Sequence, residues 1–313
     1  MKIGIDLMGG DFAPLEALKG ASDYLKETET AAHLVLFGDA EKVEPLLAEH
    51  PLPQGSYTLV HAPQVIDMHE HPTKALKEKQ QSSIAIGFGA LAGGKTDAFI
   101  SAGNTGAMLV GSLFALKTIE SVLRPTISTI VPKEDGGTGL LLDVGLNSDC
   151  KPEHLNQFAI MGSVYAQNIL GIDNPRVALL NIGEEEGKGN LLAQAAYPLL
   201  KENKHINFIG NAEGRDVFID KADVIVCDGF TGNIVLKMAE SFFDITQRKG
   251  IQHDYLDRFN FENHGGTPVL GVNKPVIIGH GISKAKAFKN MILLAQKMIE
   301  KDIMQKLQTE LES

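Results

Sequence analysis

Residues 98–116 read AFISAGNTGAMLVGSLFAL, which combines a short apolar strand, a polar glycine-containing loop and an apolar helix. We place the strand at Ala98 to Ser101 and the helix at Ala107 to Leu116. Similar short runs of Ile, Val and Leu recur along the chain and alternate with longer stretches of helical period. This pattern predicts an α/β fold with a mainly parallel, buried sheet.

The same pattern predicts further strands and several crossover helices. The other strands are expected near Lys2 to Leu7, His33 to Phe37, Tyr57 to His61, Gly139 to Val144, Arg176 to Asn181, Asp223 to Cys227 and Val276 to Gly279. Helices are expected over Lys74 to Leu91, over Pro152 to Leu170 and from Ser283 onward, and Arg248 to Asn273 reads as an extended loop. No fixed-period repeat or flexible linker interrupts the chain, so residues 1–313 are predicted to form a single domain with a cleft.

Composition excludes several classes of protein. The chain has 29 Lys plus Arg against 39 Asp plus Glu, a net charge of -10 that opposes nonspecific binding to nucleic acid. The two cysteines, Cys150 and Cys227, suggest neither a disulfide framework nor a zinc site, which fits a reducing cytoplasm. The amino-terminal apolar stretch is too short for a signal peptide, and no run of 18 apolar residues occurs, so no membrane span is expected.

A polar loop follows the strand that ends at Ser101. Its residues Gly103, Asn104, Thr105 and Gly106 precede an apolar helix, so their amides are candidates for binding an anion such as phosphate beside the helix dipole. Alternatively, the glycines only permit a tight turn while Asn104 or Thr105 caps the helix. The loop contains neither a Walker lysine nor the GxGxxG pattern.

A second loop contains a lysine between two glycines. Lys188 follows the acidic run Glu184 to Glu186 in the sequence NIGEEEGKGN and is a candidate for stabilising negative charge on phosphate and on a thioester oxygen. The alternative is a solvated lysine that balances the acidic run.

A third loop, CDGFTGN, leads into a helix predicted over Ile234 to Phe243. Its Asp228 and Asn233 are candidates for orienting a nucleophile or binding an oxyanion; alternatively, Asp228 is a turn residue and Asn233 a helix cap.

Other polar residues carry weaker signals. His280 and His264 flank glycines and are acid/base candidates, although either is more often structural. Asp6 and Asp11 border a glycine turn, but their spacing supplies too few ligands for a hard cation, so no metal site is predicted. The sequence has no GxSxG, no HExxH and no catalytic-cysteine signature, so no covalent intermediate is indicated.

Eight blocks in one order resemble the bacterial phosphate acyltransferases, the acyl-acyl carrier protein:phosphate acyltransferases of phospholipid synthesis. The blocks are IDLMGGDFAP, SAGNTGAM, LLLDVGLNSDCKPEHL, MGSVYAQNILG, LLNIGEEEGKGN, NFIGNAEGRD, ADVIVCDGFTGNIVLK and GGTPVLGVNKPVIIGHG. The resemblance implies a three-layer α/β/α homodimer with a cleft and an isocitrate/isopropylmalate dehydrogenase-like fold, shared with the phosphotransacetylases.

The resemblance also implies a reaction. Inorganic phosphate would attack the acyl thioester directly, without a cofactor, releasing acyl carrier protein and an acyl phosphate for a membrane glycerol-3-phosphate acyltransferase. A phosphotransacetylase that uses short acyl-CoA is the nearest alternative. A decarboxylating dehydrogenase and a noncatalytic scaffold are further alternatives, but the chain shows no cofactor fingerprint, and docking alone needs no Lys188 between glycines.

Residue roles follow from the matching blocks. Lys188, Asp228 and Asn233 resemble the family's catalytic positions, His280 lies in a matching block, and Ser101 to Gly106 resembles its phosphate loop. Lys188 would neutralise developing charge, Asn233 would hold phosphate or the thioester oxygen, and Asp228 would orient phosphate or Lys188.

One region departs from the family pattern. Residues 238–261 are shorter than in many members, which associate peripherally with the membrane, and His264 stands where an aromatic residue is usual. Phe242, Phe243 and Ile245 still offer an apolar edge, whereas Arg248 to Asp257 is polar. The expectation is a cytoplasmic protein with at most weak peripheral contact at the inner face of the membrane.

Overall fold

The computed structural model describes residues 1–312, which form an α/β fold. The strands are β1 (Lys2–Asp6), β2 (His33–Gly38), β3 (Tyr57–His61), β4 (Ala98–Ser101), β5 (Thr126–Pro132), β6 (Thr138–Leu142), β7 (Arg176–Asn181), β8 (Asn207–Glu213), β9 (Val224–Val226), β10 (Thr267–Leu270) and β11 (Val276–Ile278). The helices are α1 (Leu15–Glu27), α2 (Ala40–Glu49), α3 (Pro72–Glu78), α4 (Ser83–Ala92), α5 (Thr105–Gly111), α6 (Pro152–Tyr165), α7 (Leu191–Glu202), α8 (Gly229–Lys249), α9 (Asp254–Asp257), α10 (Ala285–Glu300) and α11 (Ile303–Glu312). Two compact units are formed, the first by Met1–Lys117 with Phe261–Glu300 and the second by Thr118–Asn260 with residues 301–312.

The first unit contains strands in the order β3-β2-β1-β4-β11-β10, all parallel except the β10–β11 pair. On one face, α4 packs against β1, β2 and β4. Phe88 of α4 meets the ring of Phe99 edge-on at 5.2 Å, and a Cβ at Gly87 would lie only 2.3 Å from that ring. Because side chains alternate along a strand, the neighbours of Phe99 face the opposite side, where α10 packs against β4 and α1.

The second unit contains strands in the order β5-β6-β9-β7-β8, of which only the β5–β6 pair is antiparallel. Helix α6 packs against β6, β7 and β9, and α7 and α11 pack against α6. Gly162 permits the close approach of α6, since a Cβ there would lie 2.6 Å from Val224. In each unit, the loops after neighbouring parallel strands leave the sheet at one edge, where α/β proteins bind ligands.

The predicted strand positions agree with the structure, and β3, β4 and β7 have the predicted bounds. Strands β5, β8 and β10 were not predicted. Their signals are weak because β5 and β10 each contain a proline, while Gly210 interrupts β8 with φ +99°. The predicted extended loop at 248–273 is wrong, because it contains α9, a 3₁₀ turn and β10.

Two predicted helices are interrupted. The helix expected over Lys74 to Leu91 is divided into α3 and α4, because Ser82 forms a bridge with Gln64 and its Oγ accepts from Ala85 N to begin a new helix. The final helix is divided into α10 and α11 at Asp302, whose φ is +51°. The predicted helix at Ile234 to Phe243 is confirmed but is longer at both ends, as α8 shows. Within residues 1–312, none of the helices combines the length and the apolar character needed to cross a bilayer.

Candidate functional site

The side chain of Ser101 holds the loop that follows β4 through two hydrogen bonds. The side chain is fully buried; its Oγ donates to Asp6 Oδ2 at 2.6 Å and accepts from Gly103 N at 2.9 Å. Asp6 is also fully buried and accepts from Met8 N at 2.9 Å. Burial raises the pKa of the Asp6 carboxyl, against the opposing effect of the hydrogen bond from Ser101. Asp6 and Ser101 therefore fasten the loop after β1 to the loop after β4.

Asn104 caps the following helix, as its alternative interpretation proposed. Its Oδ1 accepts from Ala107 N at 2.9 Å, and its Nδ2 donates to the carbonyl oxygens of Asp67 and Glu70 at 2.9 and 3.0 Å. Thr105 and Gly106 form the first turn of α5, where backbone amides lack acceptors within the helix. Those amides are the groups of this loop that could face an anion.

His280 lies beside the Ser101 loop. Strand β11 pairs with β4 so that Gly279 N donates to Ser101 O at 2.8 Å, which brings the next residue, His280, to the same edge. The imidazole packs on the ring of Phe261 with 4.5 Å between centroids. Asp11 N donates to Gly281 O at 2.7 Å and joins the amino-terminal loop to this group. The first unit thus brings the predicted phosphate loop and His280 together.

In the second unit, Asp228 is the residue that caps α8. Its carboxylate accepts from Thr231 N at 2.9 Å and from Thr231 Oγ1 at 2.8 Å. The interpretation of Asn233 as the cap is wrong, because Asn233 lies within α8 and is exposed. Its side-chain amide lies against Gly145, with Oδ1 3.3 Å from the position that a Cβ there would take.

Asp143 organises the neighbouring loop and was not predicted as a site residue. The carboxylate is fully buried and accepts from Gly145 N at 3.2 Å, Leu146 N at 3.1 Å, and Asn147 N and Nδ2 at 2.7 and 2.8 Å. Burial raises its pKa, while these hydrogen bonds act in the opposite direction. The available signal was its position as the first polar residue after the apolar run of β6.

The Asp143 loop and the start of α8 are in direct contact. Gly229 N donates to Asn147 O at 2.7 Å, and a Cβ at Gly232 would lie only 1.9 Å from Asp143 O. Only glycine permits this approach. The loop after β6 therefore fixes the first turns of the helix that presents Asp228 and Asn233.

Lys188 is exposed in the loop after β7. Lys188 O accepts from Asn181 Nδ2 at 3.1 Å, so the backbone of the loop is tied to its strand. Two acids of the neighbouring run have other partners: Glu184 pairs with Lys221 at 2.6 Å and Glu186 with Lys201 at 2.8 Å. No ion pair of Lys188 is formed within residues 1–312, and the third acid of the run, Glu185, lines the same pocket as Lys188.

Lys188 and Asp228 line adjacent depressions. Lys188 lines a pocket of about 330 Å³ that also includes Glu213 and Arg215. Asp228 lines a larger cavity of about 520 Å³ together with Asn190, two residues beyond Lys188. Ile182 lines both, so the structure places the two predicted catalytic residues at neighbouring parts of one surface.

A cluster of three carboxylates lies beside the Lys188 pocket, and the ammonium of a lysine is paired with it. Oxygen atoms of Glu184, Glu213 and Asp216 lie within 4.8 Å of one another. The ammonium of Lys221 is 2.6 Å from Glu184 and 2.7 Å from Asp216. Arg215 pairs with Glu213, so each carboxylate of this cluster has a cationic partner within the protein.

Solved structures define the class of fold. A phosphotransacetylase from Streptococcus pyogenes superposes with a TM-score of 0.67 and 20% identity, covering 96% of this chain and 94% of that one. The EutD phosphotransacetylase from Staphylococcus aureus gives a TM-score of 0.64 at 19% identity, with coverage of 95% and 94%. The protein has the α/β fold of the phosphotransacetylases, which confirms the predicted fold class.

Sequence comparison identifies the family. The family described as "Fatty acid synthesis protein" matches residues 1–306. The phosphate acyltransferases of Dictyoglomus turgidum and Aquifex aeolicus are each 44% identical to this chain, with 98% of this chain and 96% of each relative covered. The chain belongs to the phosphate acyltransferase family and is an enzyme, which confirms both predictions made from the eight sequence blocks.

Proposed function

We propose that this protein transfers a long-chain fatty acyl group from acyl carrier protein to inorganic phosphate, giving an acyl phosphate for phospholipid synthesis. The observation that carries the proposal is the 44% identity, over nearly the whole chain, to relatives named phosphate acyltransferase. Both units would belong to one acyltransferase domain, residues 1–313.

In the proposed reaction, a phosphate oxygen attacks the thioester carbonyl carbon, the C–S bond breaks, and the thiolate leaves with the carrier protein. Lys188 neutralises charge as the tetrahedral state forms, and the exposed amide of Asn233 holds phosphate or the thioester oxygen. Asp228, held by Thr231, orients phosphate or Lys188. Phosphate is already an anion near neutral pH, so positioning contributes more than proton removal.

Direct attack by phosphate agrees with the raised pKa of both cysteine thiols. Burial raises the pKa of the Cys150 thiol to about 12, with the nearby carboxylates Asp143 and Asp228 adding to the effect. Burial raises the pKa of Cys227 well above its ordinary value as well. Both thiols are protonated near neutral pH and are poor nucleophiles, so no acyl-cysteine step is proposed.

Phosphate is proposed to bind at the Ser101 loop of the first unit. The buried Asp6–Ser101 pair holds Gly103, and Asn104 holds the turn that precedes α5. Thr105 and Gly106 lie in the first turn of α5, where backbone N–H groups lack acceptors within the helix and favour anions. His280 beside this loop is proposed to act as an acid/base group of the site.

The test is mass-spectrometric detection of acyl phosphate, with release of the free carrier-protein thiol, from purified protein given palmitoyl-acyl carrier protein and phosphate. We expect product only when phosphate is present. Activity with acetyl-CoA but none with palmitoyl carrier protein would favour the phosphotransacetylase alternative instead. An absence of product with either donor would contradict the proposal.

We further propose a cytoplasmic homodimer. Helix α8 carries an exposed apolar stripe at three- and four-residue spacing, formed by Phe230, Ile234, Met238, Phe242 and Ile245. A second copy of the chain would remove this stripe from water. Sedimentation equilibrium is expected to give twice the chain mass for the wild type and a monomer for Phe242→Asp; a monomeric wild type would refute the homodimer.

The product would be used by a membrane glycerol-3-phosphate acyltransferase, so weak peripheral contact at the inner face of the membrane is proposed as well. Flotation with anionic liposomes tests it, and a protein that stays at the bottom of the gradient would remove the membrane contact from the proposal.

A further inference from the structure

The 520 Å³ cavity of the second unit has a mostly hydrocarbon wall. Leu155 of α6, Leu179 of β7, Leu192 and Ala193 of α7, and Val235 of α8 all line it. Leu155, Leu179 and Ala193 are buried, whereas Ile182 at the same cavity is 79% exposed. The cavity therefore has a buried apolar interior and a rim that is open to solvent.

The polar side chains at this cavity are already engaged by the protein. Asn190 Oδ1 accepts from Ala193 N at 2.9 Å and caps α7. Asn181 accepts from Ile182 N at 2.8 Å and donates to Lys188 O at 3.1 Å. Asp228 is bonded to Thr231, as described above. The rest of the wall is apolar, and an alkyl chain needs no hydrogen-bond partner from it.

We infer that this cavity binds the fatty acyl chain of the substrate, an inference that rests on the proposed function. The volume of about 520 Å³ leaves room for an alkyl chain of many methylenes. Its size also lies within the range of pockets that bind small ligands. A long-chain acyl group matches both the volume and the apolar wall.

The cavity also lies next to the residues that are proposed to act on the thioester. Asp228 lines it, and Ile182 is shared with the pocket that Lys188 lines. The thioester carbonyl lies at this shared rim, and the alkyl chain extends toward Leu155 and Leu179 in the buried interior. Chain-length preference is thereby set by how far the interior extends, because each buried methylene contributes to binding.

The inference is tested by filling the cavity. In Leu192→Trp, the larger side chain occupies part of the interior. We therefore expect kcat/KM for hexadecanoyl carrier protein to fall about 10-fold or more. For octanoyl carrier protein, kcat/KM should change less than about 3-fold. Ala195→Trp is the matched control, because Ala195 is exposed on the same helix and does not line the cavity. The control should retain the wild-type chain-length profile.

Equal losses for both donors, or an unchanged profile, would overturn the inference. If Leu192→Trp does not fold, Leu192→Ala is used, and the enlarged cavity is expected to raise the rate with octadecanoyl relative to hexadecanoyl donors; an unchanged ratio would count against the cavity.

A binding assay separates this inference from the proposed function. Titration with a fluorescent long-chain fatty acid reports on the cavity without turnover, and saturable binding that is lost in Leu192→Trp but retained in Ala195→Trp supports the inference. Wild-type protein that binds the probe but makes no acyl phosphate would refute the proposed function alone. If the wild type makes acyl phosphate but the wild type, Leu192→Trp and Ala195→Trp all bind the probe equally, the assignment of the acyl chain to this cavity would be refuted and the proposed function would stand.

Discussion

Lys188→Ala is expected to lower kcat for acyl-phosphate formation by about 100- to 1,000-fold, the effect of removing a group that stabilises charge in the transition state. The side chain is exposed, lies between two glycines, and forms no ion pair within residues 1–312, so its removal should leave the fold intact. The measurement is steady-state kcat with palmitoyl carrier protein and saturating phosphate.

Lys201→Ala is the matched control for this experiment. Lys201 is also an exposed lysine, and it contacts the same loop through an ion pair with Glu186. Loss of that surface pair should change kcat by less than about 3-fold, because exposed ion pairs contribute little. Wild-type turnover in Lys188→Ala would remove Lys188 from the proposed mechanism.

Asp223→Asn is expected to lower the free energy of unfolding by about 3 kcal/mol, the low end of the usual cost of breaking a buried ion pair, because Lys133 keeps Asp220 as a second partner. Asp223 is buried and accepts from the ammonium of Lys133, which is only 3% exposed, at 2.7 Å. It also accepts from Arg176 Nε at 2.9 Å. Urea unfolding at pH 7 measures the change.

The control for this variant is Asp220→Asn. Asp220 pairs with the same Lys133 at 2.9 Å, but its side chain is 52% exposed, so we expect a loss of about 1 kcal/mol or less. Equal losses in the two variants would show that burial of the Lys133–Asp223 pair is not the cause.

The same pair predicts a pH dependence. Burial alone would raise the pKa of Asp223, but hydrogen bonds from Arg176 and Lys133 hold it well below its ordinary value. Its contribution to stability is therefore fully present above the unfolded-state pKa of about 4 and is lost as the pH falls toward the lower folded-state pKa. The wild type should lose stability more steeply than Asp223→Asn as the pH is lowered below about 4, and parallel curves would contradict this assignment.

The local pattern of apolar runs was sufficient to predict most of the sheet. Strands β4 and β7 each contain a short apolar run, residues 99–100 and residues 177–180, and each ends at a polar residue, Ser101 and Asn181. The break between α3 and α4 was not predictable in the same way, since it depends on the contact of Ser82 with the distant Gln64. Tertiary contacts of this kind override local helical spacing.

The sequence predicted where the loops of the candidate site lie, but it predicted less well which hydrogen bonds their side chains form. The capping role of Asn104 was one of its two predicted roles, and the structure shows it. The cap of α8 was assigned to Asn233, whereas the structure shows that Asp228 forms it. Asp143 was missed because its function is to accept hydrogen bonds from the three residues that follow Val144, a geometry that composition does not reveal. The catalytic and phosphate-binding roles remain predictions for the experiments above.

Asp6 and Asp143 have a common consequence for ligand binding. Each is fully buried at the end of a strand, and each accepts hydrogen bonds from the loop that follows it. The conformational entropy of these loops is therefore lost when the chain folds and not when a substrate arrives. Substrate binding therefore does not carry the free-energy cost of ordering these two loops. More of the binding free energy is available to position the reacting groups.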